Sequence, residues 1–238
     1  MKTEVINIKE LYESQVLELW YKYENLPVLT QEGFEYRKFP LLPLTLTKGG
    51  ILFVGINPSY SQQNNCLPTE KVSFYSNPTS NLKDIQYFER FKEISNYCNN
   101  YEWNHLDLLF IRETNQNIIK DLLYDKQGIE FISEQLRISF EIINCVQPQI
   151  IVVSNALVAE FFGKKKREHE NKFKKIWLGY DLDFDKDFDK TIGTYKIPVG
   201  NKETPIIFSS MLSGQRALDI GSFERLKWQI KKILTTNE

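Results

Sequence analysis

Cysteine, histidine and glycine-rich motifs are scarce in this chain. Its three cysteines, Cys66, Cys98 and Cys145, lie far apart and form no CxxC pair. Zinc ribbons, cysteine-ligated iron–sulfur clusters and a disulfide framework therefore lack their ligands. The two histidines, His105 and His169, fall in no metal-ligand spacing such as HExxH. No metal, iron–sulfur cluster or other cofactor is expected. The 11 glycines form no GxxxxGKS/T loop, no GxGxxG turn and no GxSxG elbow, which removes the usual phosphate cradles and the Ser-His-Asp hydrolases. No apolar run approaches the ~20 residues that span a bilayer, and the first ten residues hold no signal-peptide core. A soluble, cytoplasmic protein with no membrane partner is expected. Nor does one sign of charge dominate, since 30 Lys and Arg against 31 Asp and Glu leave a formal charge of −1. Coating of nucleic acid by bulk charge is excluded, whereas a local basic patch is not.

What is present is a chain of 238 residues, 42% hydrophobic and 13% aromatic. That length and composition fit one domain with a core of its own. Residues 6–25 have amphipathic helical spacing, and Pro27, Pro40 and Pro43 keep 26–48 irregular. Four short apolar runs read as buried strands: Ile51–Ile56, Leu106–Ile111, Ile150–Val153 and Pro205–Ser210. Helical patterns fall between and after them at 84–97, 128–146, 155–162 and 219–234. Strands alternating with helices predict an α/β fold, a three-layer α/β/α sandwich around a central four-stranded, mainly parallel sheet. The whole chain, 1–238, reads as a single domain with an N-terminal helical extension over about 1–48 and a charged insertion over about 164–199. Within that insertion 164–175 carries a net +5 and 181–190 a net −3, with Lys174–Leu182 and Thr191–Val199 able to pair as a hairpin. Two solvated faces or a basic nucleic-acid contact both fit such runs.

Ligands of parallel α/β sheets collect beyond the carboxyl ends of the strands. Here those ends carry Asn57-Pro58-Ser59-Tyr60, then Arg112-Glu113-Thr114-Asn115, then Ser154-Asn155, and finally Ser209-Ser210 with Ser213-Gly214-Gln215-Arg216 beyond. Such side chains orient water, bind phosphate and read bases. His105, beside the second strand, reads as a satisfied structural histidine rather than a base.

In that order the motifs become recognisable. Gly55-Ile56-Asn57-Pro58-Ser59 resembles the first motif of the uracil-DNA glycosylase superfamily, most closely the GINPG of its mismatch-specific uracil/thymine-DNA glycosylase branch. Phe74-Tyr75 with Asn77-Pro78, then Phe88-Glu89-Arg90-Phe91, resembles the aromatic loop and helix of that branch. Leu109–Gln116 resembles its second-strand exit, Gln147-Pro148-Gln149 the lead-in to its third strand, and Ser213-Gly214-Gln215-Arg216 its second motif. The resemblance covers roughly residues 50–235 apart from 164–199. It implies hydrolysis of the N-glycosidic bond of a uracil or a mismatched or modified base flipped from DNA, duplex or single-stranded. Asn57 would position the water. Gly55, Ile56 and Ser59 would line the base pocket, and Phe74 or Tyr75 would stack on the base, unless both are core aromatics. Ser213, Gly214, Gln215 and Arg216 would contact the DNA. Two departures stand out: Met211-Leu212 replaces the Asn-Pro or His-Pro that opens the second motif, and Ser59 replaces a glycine. They leave open a non-catalytic nucleic-acid or nucleotide-binding module on the same fold, or a small-molecule enzyme on the same rim.

Overall fold

Alternation along the first apolar run sets the architecture: Ile51 and Phe53 point to one side of a sheet, Leu52 and Val54 to the other, and all four are fully buried. The structure, a computed structural model, describes residues 4–60, 67–76, 86–163, 188–214 and 217–236. In chain order its elements are β1 (Val5–Asn7), α1 (Ile8–Lys22), α2 (Pro27–Thr30), a 3-10 turn (Glu35–Lys38), β2 (Leu41–Pro43), β3 (Thr45–Thr47), β4 (Ile51–Gly55) and β5 (Ser73–Tyr75). Then come α3 (Gln86–Tyr97), β6 (Trp103–Asp107), α4 (Gln116–Leu122), α5 (Lys126–Val146), β7 (Ile150–Val153) and α6 (Ala156–Phe161). The chain closes with β8 (Phe188–Asp189), β9 (Thr194–Val199), β10 (Lys202–Phe208) and α7 (Ile220–Thr236).

The central sheet runs in the order β6-β4-β7-β10-β9-β8. The four expected strands are its first four members, mutually parallel. The sheet has six strands rather than four, because β9 and β8 extend it in antiparallel sense. The sequence places 188–199 in a charged insertion, yet Tyr195, Ile197 and Val199 are buried in alternation with Lys196 and Pro198, as in a strand with one covered face. A tight turn at Gly200-Asn201, with Gly200 at a φ of 59°, folds β9 back onto β10. Of the expected hairpin only 191–199 can be traced; Lys174–Leu182, like all of 164–187, lies outside the described residues.

Helices cover each face. Leu52, Val54, Leu106, Ile151 and Val153 join one apolar cluster with Val16 and Leu19 of α1 and Phe131, Ile132 and Leu136 of α5. Ile51, Phe53, Trp103, Ile150 and Val152 join another with Phe91 and Ile94 of α3 and Phe223, Ile230 and Ile233 of α7. Each such side chain contributes roughly 1.5–3 kcal/mol of burial. The extension adds two small sheets, β1 antiparallel to β3 and β2 parallel to β5. No helix among the described residues is long and apolar enough to cross a membrane.

One boundary shift matters for the site. The second strand was expected over 106–111; β6 is Trp103–Asp107, and the apolar run continues past it as a buried, irregular segment. Such a segment must satisfy its backbone polar groups elsewhere. Gln135 and Ser139, fully buried on α5, do this: Phe110 N donates to Gln135 Oε1 (2.8 Å) and Ser139 Oγ donates to Leu108 O (2.7 Å).

Candidate functional site

All four parallel strands deliver residues to one cavity of about 480 Å³, a size suited to a small organic ligand. Gly55 to Ser59 enter after β4, Glu113 and Thr114 after β6, Ser154 and Asn155 after β7, and Met211 after β10. The chain steps from β4 to β6 on one side and then to β7 on the other. This reversal opens the crevice in which α/β sheets bind ligands. Tyr87 and Phe88 of α3, Tyr75 of β5 and Leu41 of β2 supply apolar walls.

The exits of β4 and β6 are laced together. Leu108 N donates to Gly55 O (3.1 Å), Leu109 N to Ile56 O (2.8 Å) and Glu113 N to Pro58 O (2.9 Å). Thr114 Oγ1 donates to Tyr60 O at 2.9 Å. Asn57 is the side chain in this lacing: its Nδ2 donates to Pro58 O (3.1 Å), Ile111 O (3.3 Å) and Glu113 O (2.5 Å). Three carbonyls around the nitrogen fix the amide's orientation. The atom left for a ligand is therefore the carbonyl oxygen Oδ1, an acceptor held at the cavity.

The N-terminal extension supports this arrangement from behind. Arg37, 1% exposed, donates from Nε to Glu113 Oε2 (2.7 Å) and from Nη1 to Val28 O and Gln31 Oε1. Glu113 Oε1 accepts from Asn115 N at 2.6 Å. Tyr60 stacks on Tyr36 of the 3-10 turn with centroids 3.8 Å apart. The loop whose carbonyls hold Asn57 is thus pinned by a buried ion pair.

At the base of the cavity lie His105 and Asp107, two residues apart on β6 and so on one face of it. Their Nε2 and Oδ1 atoms are 3.8 Å apart. His105 is ringed by Tyr87, Phe88 and Phe91, and burial lowers its pKa from 6.5 to about 3. Burial raises the Asp107 carboxyl from 3.8 to about 7. Tyr75 donates its hydroxyl proton to His105 O at 3.1 Å, and its oxygen lies 3.3 Å from His105 Nδ1.

Of the expected site residues, Gly55, Ile56, Asn57, Ser59 and Tyr75 meet at this cavity. Phe74 does not line it; alternation along β5 turns its ring toward the main core, where Lys9 Nζ lies 5.3 Å from it. Ser213 and Gly214 do not line it either. They form a surface turn closed by Leu218 N donating to Met211 O (2.9 Å), with Gly214 at a φ of 85°. Gln215, Arg216 and Asn77-Pro78 lie outside the described residues. His105 is not the satisfied structural histidine expected, because its Nε2 is buried and has no hydrogen-bond partner among the described residues. Sequence reading passes over Asp107 and Arg37. The signal for Asp107 is an acid inside the run Leu-Asp-Leu-Leu-Phe-Ile, where an unpaired charge is costly. Arg37 carries none, because its partner lies 76 positions away.

Among the described residues no group of three His, Cys, Asp or Glu side chains is placed to hold a metal ion. No protein-family model matches the chain, and no curated protein matches it.

Proposed function

We propose that the protein is a DNA base glycosylase, monofunctional and metal-independent, which hydrolyses the N-glycosidic bond of a base extruded into this cavity. The observation that carries the reading is Asn57, which lines a ligand-sized cavity with aromatic walls and whose nitrogen is bound to three carbonyls, leaving Oδ1 to accept from a ligand. Cleavage at a sugar passes through a transition state with oxocarbenium character. Little nucleophilic strength is then required, and an oriented water at C1′ does most of the task. An amide oxygen accepts one water hydrogen and aims the lone pair, while a carboxylate there would meet the carbonyl oxygens that hold Asn57. Tyr75, Tyr87 and Phe88 suit the faces of a planar base. The resemblance of Gly55–Ser59 and Ser213–Arg216 to the superfamily motifs supports the same reading, as do the four parallel strands within the six-stranded sheet, with helices on each face. Ser213, Gly214, Gln215 and Arg216 are then the residues assigned to contact the DNA.

The test is incubation with labelled oligonucleotides bearing uracil, mismatched thymine or modified bases, followed by alkaline cleavage. Abasic product that is lost in Asn57→Ala supports the reading. Absence of product from every substrate overturns it.

A second reading, a non-catalytic nucleic-acid or nucleotide-binding module, draws on Met211, an apolar thioether lining the cavity where the superfamily motif has Asn-Pro or His-Pro. It predicts binding that weakens steeply with salt and no abasic product.

A further inference from the structure

Asp107 shares the cavity with Asn57 and takes no part in holding the water. It is 8% exposed and lines the cavity. Its polar neighbour on β6 is His105 Nε2. Because the Tyr75 hydroxyl gives its proton to His105 O, its oxygen is the acceptor facing Nδ1. The imidazole proton therefore sits on Nδ1, and Nε2 presents a lone pair toward Asp107. A carboxylate would face that lone pair in a medium of low dielectric; a carboxylic acid would not. Among the described residues the other titratable groups around it are the neutral hydroxyls of Tyr75 on β5 and Tyr87 on α3. Gly55 on β4 and Ser154 after β7 bring no charge, and the second acid at the cavity, Glu113, is neutralised by Arg37.

We propose that Asp107 is the general acid of the glycosidic cleavage, giving its proton to the departing base. The inference rests on the glycosylase reading and names its substrate class: bases, purines above all, whose departure is assisted by protonation. As the bond between C1′ and the base nitrogen breaks, its electron pair passes to the base, which takes the Asp107 proton. The water at Asn57 forms the new C1′–O bond and releases a proton to solvent, and solvent reprotonates Asp107. Water is added across one bond with no other reactant. Met211, lining the same cavity, has no proton to give, so the acid comes from β6 instead. With its carboxyl near 7 and His105 neutral, Asp107 is a usable proton donor at neutral pH, where general acids contribute about 10²–10⁴-fold.

The experiment compares single-turnover rates on oligonucleotides carrying 5-fluorouracil, uracil or hypoxanthine; the two pyrimidines leave as delocalised anions, whereas the purine leaves more readily once its imidazole ring is protonated. Asp107→Asn keeps shape and hydrogen bonding but donates no proton. It should slow hypoxanthine release by about 100-fold or more and 5-fluorouracil release by less than about tenfold. The wild-type hypoxanthine rate, which needs no variant, should fall tenfold per pH unit above about 7. Equal slowing of all three bases by Asp107→Asn, no slowing, or a flat pH profile overturns the inference. Wild-type release of 5-fluorouracil without hypoxanthine overturns it alone; release of none of the three overturns the glycosylase reading with it.

Discussion

The carboxyl of Asp107 occupies the space that a β-carbon on Gly55 would fill. The two residues are register partners at the carboxyl ends of β4 and β6, and His105 Nε2 borders the same space. A glycine is required there by neighbours rather than by backbone conformation. Gly55 opens the motif that carries Asn57, so the close approach ties the water-holding loop to the acid at the base of the cavity.

Gly55→Ala tests that approach. The added methyl group must displace the carboxyl or separate the strands, which costs about 1–3 kcal/mol. Chemical denaturation should show that loss, and base release should fall with it even though no polar group has been removed.

Asn57 is predicted to matter twice. Asn57→Ala removes the donor to Ile111 O and Glu113 O, while Pro58 O keeps Glu113 N, a loss of about 1–3 kcal/mol by denaturation. Asn57→Asp sets a carboxylate against those carbonyls and should destabilise more. If Asn57→Asp is as stable as the wild type, the orientation assigned to the amide is wrong.

Arg37→Ala removes one partner of a fully buried ion pair and should cost about 3–5 kcal/mol. Glu113→Gln keeps an acceptor for Asn115 N and should cost less. Both should also slow base release, because Glu113 O is one of the carbonyls that hold Asn57. Urea titrations of the two variants, beside the oligonucleotide assay, measure both effects.

The His105–Asp107 pair makes a specific prediction about pH. Asp107 holds its proton in the folded state to about 7 but loses it near 3.8 when unfolded, so its contribution weakens the fold as pH rises between those values. His105 is neutral in the folded state down to about 3 but takes up a proton near 6.5 when unfolded, so its contribution strengthens the fold as pH rises from 3 to 6.5. Between about pH 4 and 6.5 the two slopes, each at most about 1.4 kcal/mol per pH unit, cancel. Asp107→Asn should gain stability relative to wild type as pH rises from 4 to 7. His105→Gln should lose it relative to wild type from 3 to 6.5. Parallel stability curves for all three proteins would show that the pair does not titrate in this way.

Much of the fold is legible in local pattern. Ile150–Val153 is a strand with the limits that Pro148 and Asn155 suggest, and the 3.6-residue spacing finds α1, α3, α5 and α7 to within a turn. Pattern misleads where burial and regular structure part company. Leu108–Ile111 is as apolar as a strand but irregular, and Gln135 and Ser139 supply partners for Phe110 N and Leu108 O that a neighbouring strand would otherwise provide. The converse holds for β9, a sheet member read as part of the charged insertion although Tyr195, Ile197 and Val199 alternate with Lys196 and Pro198.

The sequence by itself determined the alternating α/β order, the parallel core strands and the polar loops at their carboxyl ends. These follow from hydrophobic period and turn residues acting over a few positions. The tertiary structure alone decided that Tyr75 rather than Phe74 faces the cavity, that Arg37 braces the loop holding Asn57, and that Asp107 stands beside His105 at the cavity. Those outcomes depend on strand register and on contacts between distant segments, where burial in a shared low-dielectric space, not local propensity, sets the chemistry.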